Sequence, residues 1–276
     1  MTIPDITATI IFHLEGDFAT PALQSLSEVA DVARSAGLVV QTQAILDRPD
    51  SLTKQIVASR GSFLDRVQEV SFGNAAMSRN AGAVLARGRF LAFFDGDDLW
   101  GEHWLREAYR AATDPSAPAL AVWHPEVVYC FSKADLNRQS ATSTPSAGAQ
   151  SFHLIHEPSD APGFNRSSLA MNYIWTANVF TPNEVHQRYP YKPGNEADGF
   201  GVEDWSWHIE TTWEGIPHRV VPGTVHLVRI KDQALSLGHH NVRQSMLPIL
   251  PASFSWSDRE ERTLALTSKV SSVPLR

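Results

Sequence analysis

Cysteine is all but missing: Cys130 is the only one in 276 residues, so no internal disulfide can form and a packed core must hold the fold. Among Val127, Val128, Tyr129 and Phe131 it reads as a small buried hydrophobe in a strand. Basic charge is also scarce. Lys and Arg number 23 against 30 Asp and Glu, giving a net charge of −7 and a pI near 5.9. Such a balance argues against a nucleic-acid partner and leaves nucleotides bound singly, through a metal. No run is apolar enough to span a bilayer, and the N-terminus lacks the basic and apolar regions of a secretion signal, so a cytoplasmic protein without a transmembrane segment is expected. The turn after the first apolar run, Glu15-Gly-Asp17, holds one glycine and is no glycine-rich phosphate loop.

What remains is the composition of an ordinary globular protein, 43% hydrophobic and 19% charged. Residues 7–14 are apolar and β-branched, a buried strand. In 20–36, Leu23, Leu26, Val29, Ala30 and Ala33 recur at helical spacing before Gly37. A second strand, 38–46, runs into the loop Asp47-Arg-Pro-Asp50. This βαβ opening implies a parallel sheet with right-handed crossovers. Further along, 51–60 reads as a helix, 65–71 as a strand, 74–87 as a helix ended by Gly88, 89–94 as a strand, and 104–112 as a helix. After a strand at 120–131, residues 140–150 look like a flexible loop and 151–193 show little periodicity. A helix at 203–214, short strands at 219–221 and 224–230, and a peripheral helix and tail after His239 complete the chain. The expected architecture is α/β, a mostly parallel central sheet flanked by helices with short antiparallel elements.

The strand at 89–94 delivers Asp95, Gly96, Asp97 and Asp98 at its carboxyl end, the usual ligand-binding edge of an open α/β sheet. Three clustered carboxylates repel one another unless a cation neutralises them. Hard oxygen ligands suit Mn²⁺ or Mg²⁺ shared with substrate phosphates, and Gly96 would let the turn bend and a diphosphate approach. The alternative is a helix N-terminus, with Asp98 capping the helix at 104. Trp205, Trp207, Trp213, Trp175 and Tyr173 are candidates for stacking on a sugar, or else core residues.

The run from Met77 to Asp98 resembles the signature of family 2 glycosyltransferases of the GT-A fold: an Arg-Asn-x-Gly helix, here Arg79 to Gly82, before a strand that ends in Asp-x-Asp. Gly199-Phe-Gly-Val-Glu-Asp-Trp205 resembles that family's Glu-Asp motif. The two lie about a hundred residues apart in the family's order, and the likeness spans roughly residues 7–231. His13-Leu-Glu-Gly16 departs from the common first turn. With Leu46-Asp-Arg-Pro49 it resembles a bacterial subgroup associated with surface or extracellular polysaccharides.

The resemblance implies a domain over 1–238, with a nucleotide-sugar half at 1–112 and an acceptor half at 113–238, followed by 239–276. It implies Asp95 and Asp97 on the cation and the donor's ribose and diphosphate. Asp204 is implied as general base and Glu203 as its support or an acceptor contact. Glu15, Asp47 and Arg79 are implied as nucleotide contacts. His226 is implied as a third metal ligand, with Arg229 and Lys231 beside it for the departing diphosphate. The implied partners are a nucleoside-diphosphate sugar, UDP favoured over GDP, and a sugar or lipid-linked glycan acceptor; the latter would place the chain at the inner face of a membrane. Trp205 and Trp175 would line the acceptor side. Nucleotidyl transfer, and a non-catalytic binding module of the same fold, are the competing readings.

Overall fold

β1 (Ile6–Phe12) and β2 (Val40–Asp47) pair in parallel at the heart of a sheet, β1 being buried over nearly its whole length and β2 over all of it. Both faces are covered, so the polar residues of these strands are enclosed along with the apolar ones. The polar residues among them bond each other across the register: Thr7 donates to Gln41, and the Gln43 amide donates to Thr9 and to the Gly82 carbonyl, all at 2.8 Å. The structure, a computed structural model, describes residues 3–132, 150–194, 201–230 and 247–256.

Among these residues the sheet order is β3-β2-β1-β4-β8-β6-β9-β5, with β7 paired to β6. β3 (Arg66–Val70), β2, β1 and β4 (Phe90–Asp95) are parallel. β8 (Phe180–Pro182) then runs antiparallel between β4 and β6 (Val122–Ser132), and β9 (His218–Ile230) lies parallel to β6. β5 (Leu99–Trp100) and β7 (Phe152–Ile155) are short antiparallel additions. The expected mostly parallel α/β sheet with antiparallel elements toward the second half is therefore the one found.

Helices cover both faces. α1 (Ala19–Ser35), α2 (Ser51–Arg60) and α4 (Trp104–Ala112) pack on one. α3 (Ala75–Leu85), α5 (Asn183–Arg188) and α6 (Glu203–Trp213) pack on the other. β4 shows the alternation: Phe90, Ala92 and Phe94 enter the first core, Leu91 and Phe93 the second. The five apolar residues that marked α1 in the sequence are all buried. Cys130 is buried in β6 as expected.

Several sequence expectations change. The segments at 219–221 and 224–230 form one strand, because β6 shifts register between Pro125 and Val127 to follow the chain through Pro222 and Gly223. α3 stops at Leu85, and Gly88 serves close packing instead of ending the helix: a Cβ there would meet the Thr7 nitrogen at 2.4 Å. The aperiodic stretch holds β7, β8, α5 and a 3-10 turn at Arg166–Ala170. Within 247–256 the chain is irregular and lies on α6, where the Trp213 indole donates to the Ser253 carbonyl at 2.8 Å. The loop expected at 140–149, Lys231, and most of 239–276 lie outside the described residues.

Gly88 generates a direct test. The obstructing atoms belong to backbone and cannot rotate away, so Gly88→Ala should cost about 1–3 kcal/mol of stability, read as a lower urea midpoint at unchanged slope.

Candidate active site

β4 ends at Asp95, and the turn closes when the Asp98 amide donates to the Asp95 carbonyl at 3.2 Å. Gly96 sits in this turn without a left-handed φ. Its missing side chain is a matter of space, since a Cβ would stand 2.3 Å from the Phe12 ring and 2.7 Å from the Ile11 carbonyl. That corrects the expectation that glycine was needed for the bend.

The three aspartates separate into different roles. Asp98 is buried and accepts from the Arg229 amide and from His226 Nε2, each at 3.0 Å. It therefore ties the turn to β9 and does not cap α4, whose cap position is His103. β5 explains the link: Trp100 pairs with His226 and stacks on its ring at 5.7 Å. Asp95 and Asp97 remain partly exposed.

His226 is 1% exposed, with Nε2 also 2.7 Å from the Asn178 amide and Nδ1 3.3 Å from the Thr176 hydroxyl. Among the described residues no three His, Cys, Asp or Glu side chains gather as a metal set. The implied trio of Asp95, Asp97 and His226 is thus not assembled, because β9 turns the imidazole onto Asp98. Arg229 lies between Phe18 and Phe131, 4.6 and 4.8 Å from the ring centres, and its Nε donates to the Asp97 carbonyl at 3.1 Å. A cation is held ready beside the turn.

α3 supplies Arg79. Its N-terminus is capped by Asn74, whose side chain accepts from the Met77 amide, and is pinned by Asp47 at the end of β2. Asp47 accepts from the Gly73 and Asn74 amides and the Ser78 hydroxyl at 2.8, 3.0 and 2.8 Å. Burial raises its pKa, but these bonds outweigh that and hold it below the ordinary aspartate range. The carboxylate implied as a nucleotide contact is thus heavily engaged in setting the helix. Glu15 accepts from the His13 amide in the neighbouring turn.

From α3, Arg79 reaches Asp95 Oδ1 at 2.7 Å and Glu203 Oε1 at 3.6 Å, with only 4% of its surface exposed. Burial works against its charge, and Asp95 and Glu203 more than restore it, so the pKa is raised. Asn80, unassigned by sequence reasoning, grips the Tyr191 backbone: its amide nitrogen donates to the Tyr191 carbonyl and its oxygen accepts from the Tyr191 amide, both at 2.8 Å. Its only sequence signal was its place beside Arg79 in the motif.

α6 opens on Glu203 and Asp204. Asp204 is 8% exposed and accepts from the Trp205 amide at 2.7 Å and from the Tyr173 hydroxyl. Burial, reinforced by the neighbouring Asp204, pushes Glu203 up to about 7. Burial also raises Asp204, against the opposing influence of Tyr173 and Arg79. A carboxyl poised near neutrality suits proton transfer. Gly199 and Phe200 of this motif lie outside the described residues.

One turn along α6 from Asp204 lies His208; with His124 and His218 it packs on Trp175, and His156 packs edge-on to His124. Trp175 is 1% exposed, lies between Phe164 and His218, and donates its indole N–H to the Glu157 carbonyl at 2.9 Å. It is core, which corrects its expected place on the acceptor side. Trp205 is half-buried, donates to the Leu169 carbonyl at 2.6 Å, and has Tyr173 at 5.8 Å.

No family model and no curated protein matches the sequence. Solved structures do match. S. aureus TarS 1-349 in complex with UDP-GlcNAc is 13% identical with a TM-score of 0.55, covering 98% of this chain and 68% of that one. A mannosyltransferase from Pyrobaculum calidifontis, in complex with GDP-Man and Mn²⁺, is 14% identical with a TM-score of 0.54, covering 100% and 77%. Glucosyl-3-phosphoglycerate synthase from Mycobacterium tuberculosis, in complex with Mn²⁺, UDP and glucosyl-3-phosphoglycerate, is 11% identical with a TM-score of 0.54, covering 88% and 76%. A further TarS 1-349 structure is matched over 60% of its length, and full TarS over 49%. At these identities the likeness shows the fold, and it is the GT-A arrangement expected from the two motifs.

The buried acids and imidazoles dictate opposite pH responses. Burial holds His218 and His186 down at about 3 and His156 at about 4. An unfolded histidine titrates near 6.5. Their contribution is complete above that value and is lost as pH falls toward 4, at up to about 1.4 kcal/mol per pH unit for each histidine. Glu203 acts in reverse: its raised pKa favours folding below about 4.5, and that benefit disappears as pH rises through about 7. Urea unfolding across pH 4–9 should show the acid loss in the wild type and a flatter neutral limb in Glu203→Gln.

Proposed function

We propose that this chain is an inverting glycosyltransferase that moves a sugar from a nucleoside-diphosphate donor to a hydroxyl acceptor. The observation that carries the reading is Arg79, which reaches Asp95 of the first motif and Glu203 of the second. Segments more than a hundred residues apart thereby form one charged site at the carboxyl end of β4. The matched structures with UDP-GlcNAc and with GDP-Man and Mn²⁺ support the same reading.

In this reaction Asp204 takes the proton of the acceptor hydroxyl as its oxygen bonds to the anomeric carbon. The bond from that carbon to the donor phosphate breaks, and its electron pair leaves on the nucleoside diphosphate. Glu203 orients the acceptor or supports Asp204, Arg79 holds Glu203 and Asp95 to one another, Arg229 faces the departing diphosphate, and Trp205 forms part of the acceptor wall. Glu15 and Asp47 stand on the nucleotide side. Two partly exposed carboxylates, Asp95 with one oxygen on Arg79 and Asp97 beside it, are the residues that would hold a hard Mn²⁺ or Mg²⁺ ion, since such ions are commonly held by one or two carboxylates together with substrate oxygens. Bound there, the ion would supply Lewis-acid charge to the leaving group.

The subgroup turns favour surface or extracellular polysaccharide synthesis; the acceptor is a sugar or lipid-linked glycan, and UDP stands ahead of GDP as the commoner donor nucleotide among such enzymes. No helix among the described residues is long and apolar enough to cross a membrane. We place the enzyme in the cytoplasm or at the inner membrane face.

Thermal unfolding with UDP, GDP or CDP, each with and without Mn²⁺, tests the reading. One nucleotide should stabilise the wild type only with metal, by about 2.7 kcal/mol at a hundredfold excess over Kd. The Asp95→Ala, Asp97→Ala variant should lose that shift, whatever its own stability after Arg79 is stripped of its partner. Asp204→Asn should keep the shift while sugar release falls by about 10²- to 10⁴-fold. Absence of any nucleotide-dependent shift would sink the proposal.

A further inference from the structure

Among the described residues Asp204 has one donor from its own helix, the Trp205 amide, and one from elsewhere, the Tyr173 hydroxyl. Tyr173 stands in the stretch between the 3-10 turn at Arg166–Ala170 and β8. The sequence offered its ring as a sugar-stacking surface. In the structure that ring leans on Trp205 at 5.8 Å and on His208 at 6.4 Å, while 44% of the residue stays exposed. One residue thus meets both the solvent and the buried acid.

We propose that Tyr173 is the positioning residue of the acceptor-side base: its phenol holds one oxygen of Asp204 and fixes the carboxylate plane in which an acceptor hydroxyl must be met. The inference rests on the glycosyltransferase reading and deepens it. A carboxylate offers about four lone-pair sites. The Tyr173 hydroxyl and the Trp205 amide occupy two, one on each oxygen, so the group cannot rotate without breaking a charge-assisted bond. Tyr173 is suited to donate, because burial and the Asp204 charge keep its phenol protonated. The other groups facing Asp204 are Glu203 beside it on α6, Arg79 on α3, Asp95 at the end of β4 and the Tyr191 phenol. Among these, Tyr173 is the side chain with a hydrogen bond to Asp204.

Tyr173→Phe keeps the ring on Trp205 and His208 and removes only the hydroxyl. Two measurements read its effect. In a double-mutant cycle with Asp204→Ala, followed by urea unfolding at pH 8, the hydroxyl and the carboxylate should be coupled by about tenfold in the unfolding constant. In the second, release of UDP or GDP is followed from UDP-GlcNAc, UDP-glucose and GDP-mannose with Mn²⁺, water serving as acceptor. Tyr173→Phe should lower kcat about tenfold and move the acid limb of the profile to higher pH, since a carboxylate that loses a donor is easier to protonate. Nucleotide affinity should not change. A purely structural role would alter stability yet leave the acid limb in place.

Zero coupling in the cycle would overturn the inference, as would a Tyr173→Phe enzyme with the wild-type profile; in both cases the glycosyltransferase reading survives. A wild type that binds nucleotide with Mn²⁺ but releases none from the three sugars would remove Asp204 as base and the inference with it. A wild type that binds no nucleotide is the separate failure of the underlying reading.

Discussion

A guanidinium removed from water stays charged and is costly unless carboxylates compensate it, and Arg79 is held by this requirement. Its Nη2 meets Asp95, its Nε faces Glu203 at 3.6 Å, and Nε and Nη1 make no hydrogen bond among the described residues. Two acids that would otherwise repel each other are drawn toward one cation. Removing either partner of a buried pair typically costs about 3–5 kcal/mol, since the remaining charge stays buried and uncompensated. The position of Arg79 therefore fixes how the end of β4 and the start of α6 stand to one another. Other contacts serve that placement: Asp47 sets the N-terminus of α3, and Asn80 fastens the same helix to the Tyr191 backbone.

The electrostatics around this cation form a gradient. Asp95 and Asp97 stay within reach of water and of a substrate, whereas Glu203 and Asp204 are withdrawn and their pKa values rise. A metal-binding turn must stay ionised, and a proton acceptor works best when its affinity for a proton lies near the working pH. In the proposed reaction one sheet edge would meet both demands, the second pair being buried deeper than the first. The N-terminus of α6 adds its dipole beneath the acids, favouring negative charge where burial opposes it.

Around Trp175 the chain places imidazoles, where aliphatic side chains would be the common choice. His124 bonds His218 at 2.8 Å, and His218 in turn is 2.9 Å from the Thr211 hydroxyl. Burial keeps these rings neutral, so they pack as flat aromatic plates against Trp175 while offering polar edges. This cluster is firm at neutral pH and weakens in acid. His226 belongs to a different arrangement, clamped to Asp98 where β5 meets β9.

The sequence by itself determined the parallel half of the sheet, because apolar β-branched runs followed by amphipathic helices have one economical packing; α2 and α4 fall at the residues their periodicity marked. It also marked, through the resemblance of their motifs, Asp95 to Asp98 and Glu203 with Asp204 as the candidate site segments. Tertiary structure alone decided how those residues divide the work. Asp95, Asp97 and Asp98 are equivalent as letters, yet pairing of β5 with β9 buries Asp98 against His226 and leaves the other two partly open. Trp175 and Trp205 are equally aromatic, but only packing shows that the first is enclosed by imidazoles. Tyr173 lies thirty-one positions from Asp204 in a stretch without periodicity, so no local pattern marks the contact. Local patterns report how a segment folds on itself; which side chain meets which across the sheet is settled by crossings and registers that no short segment contains.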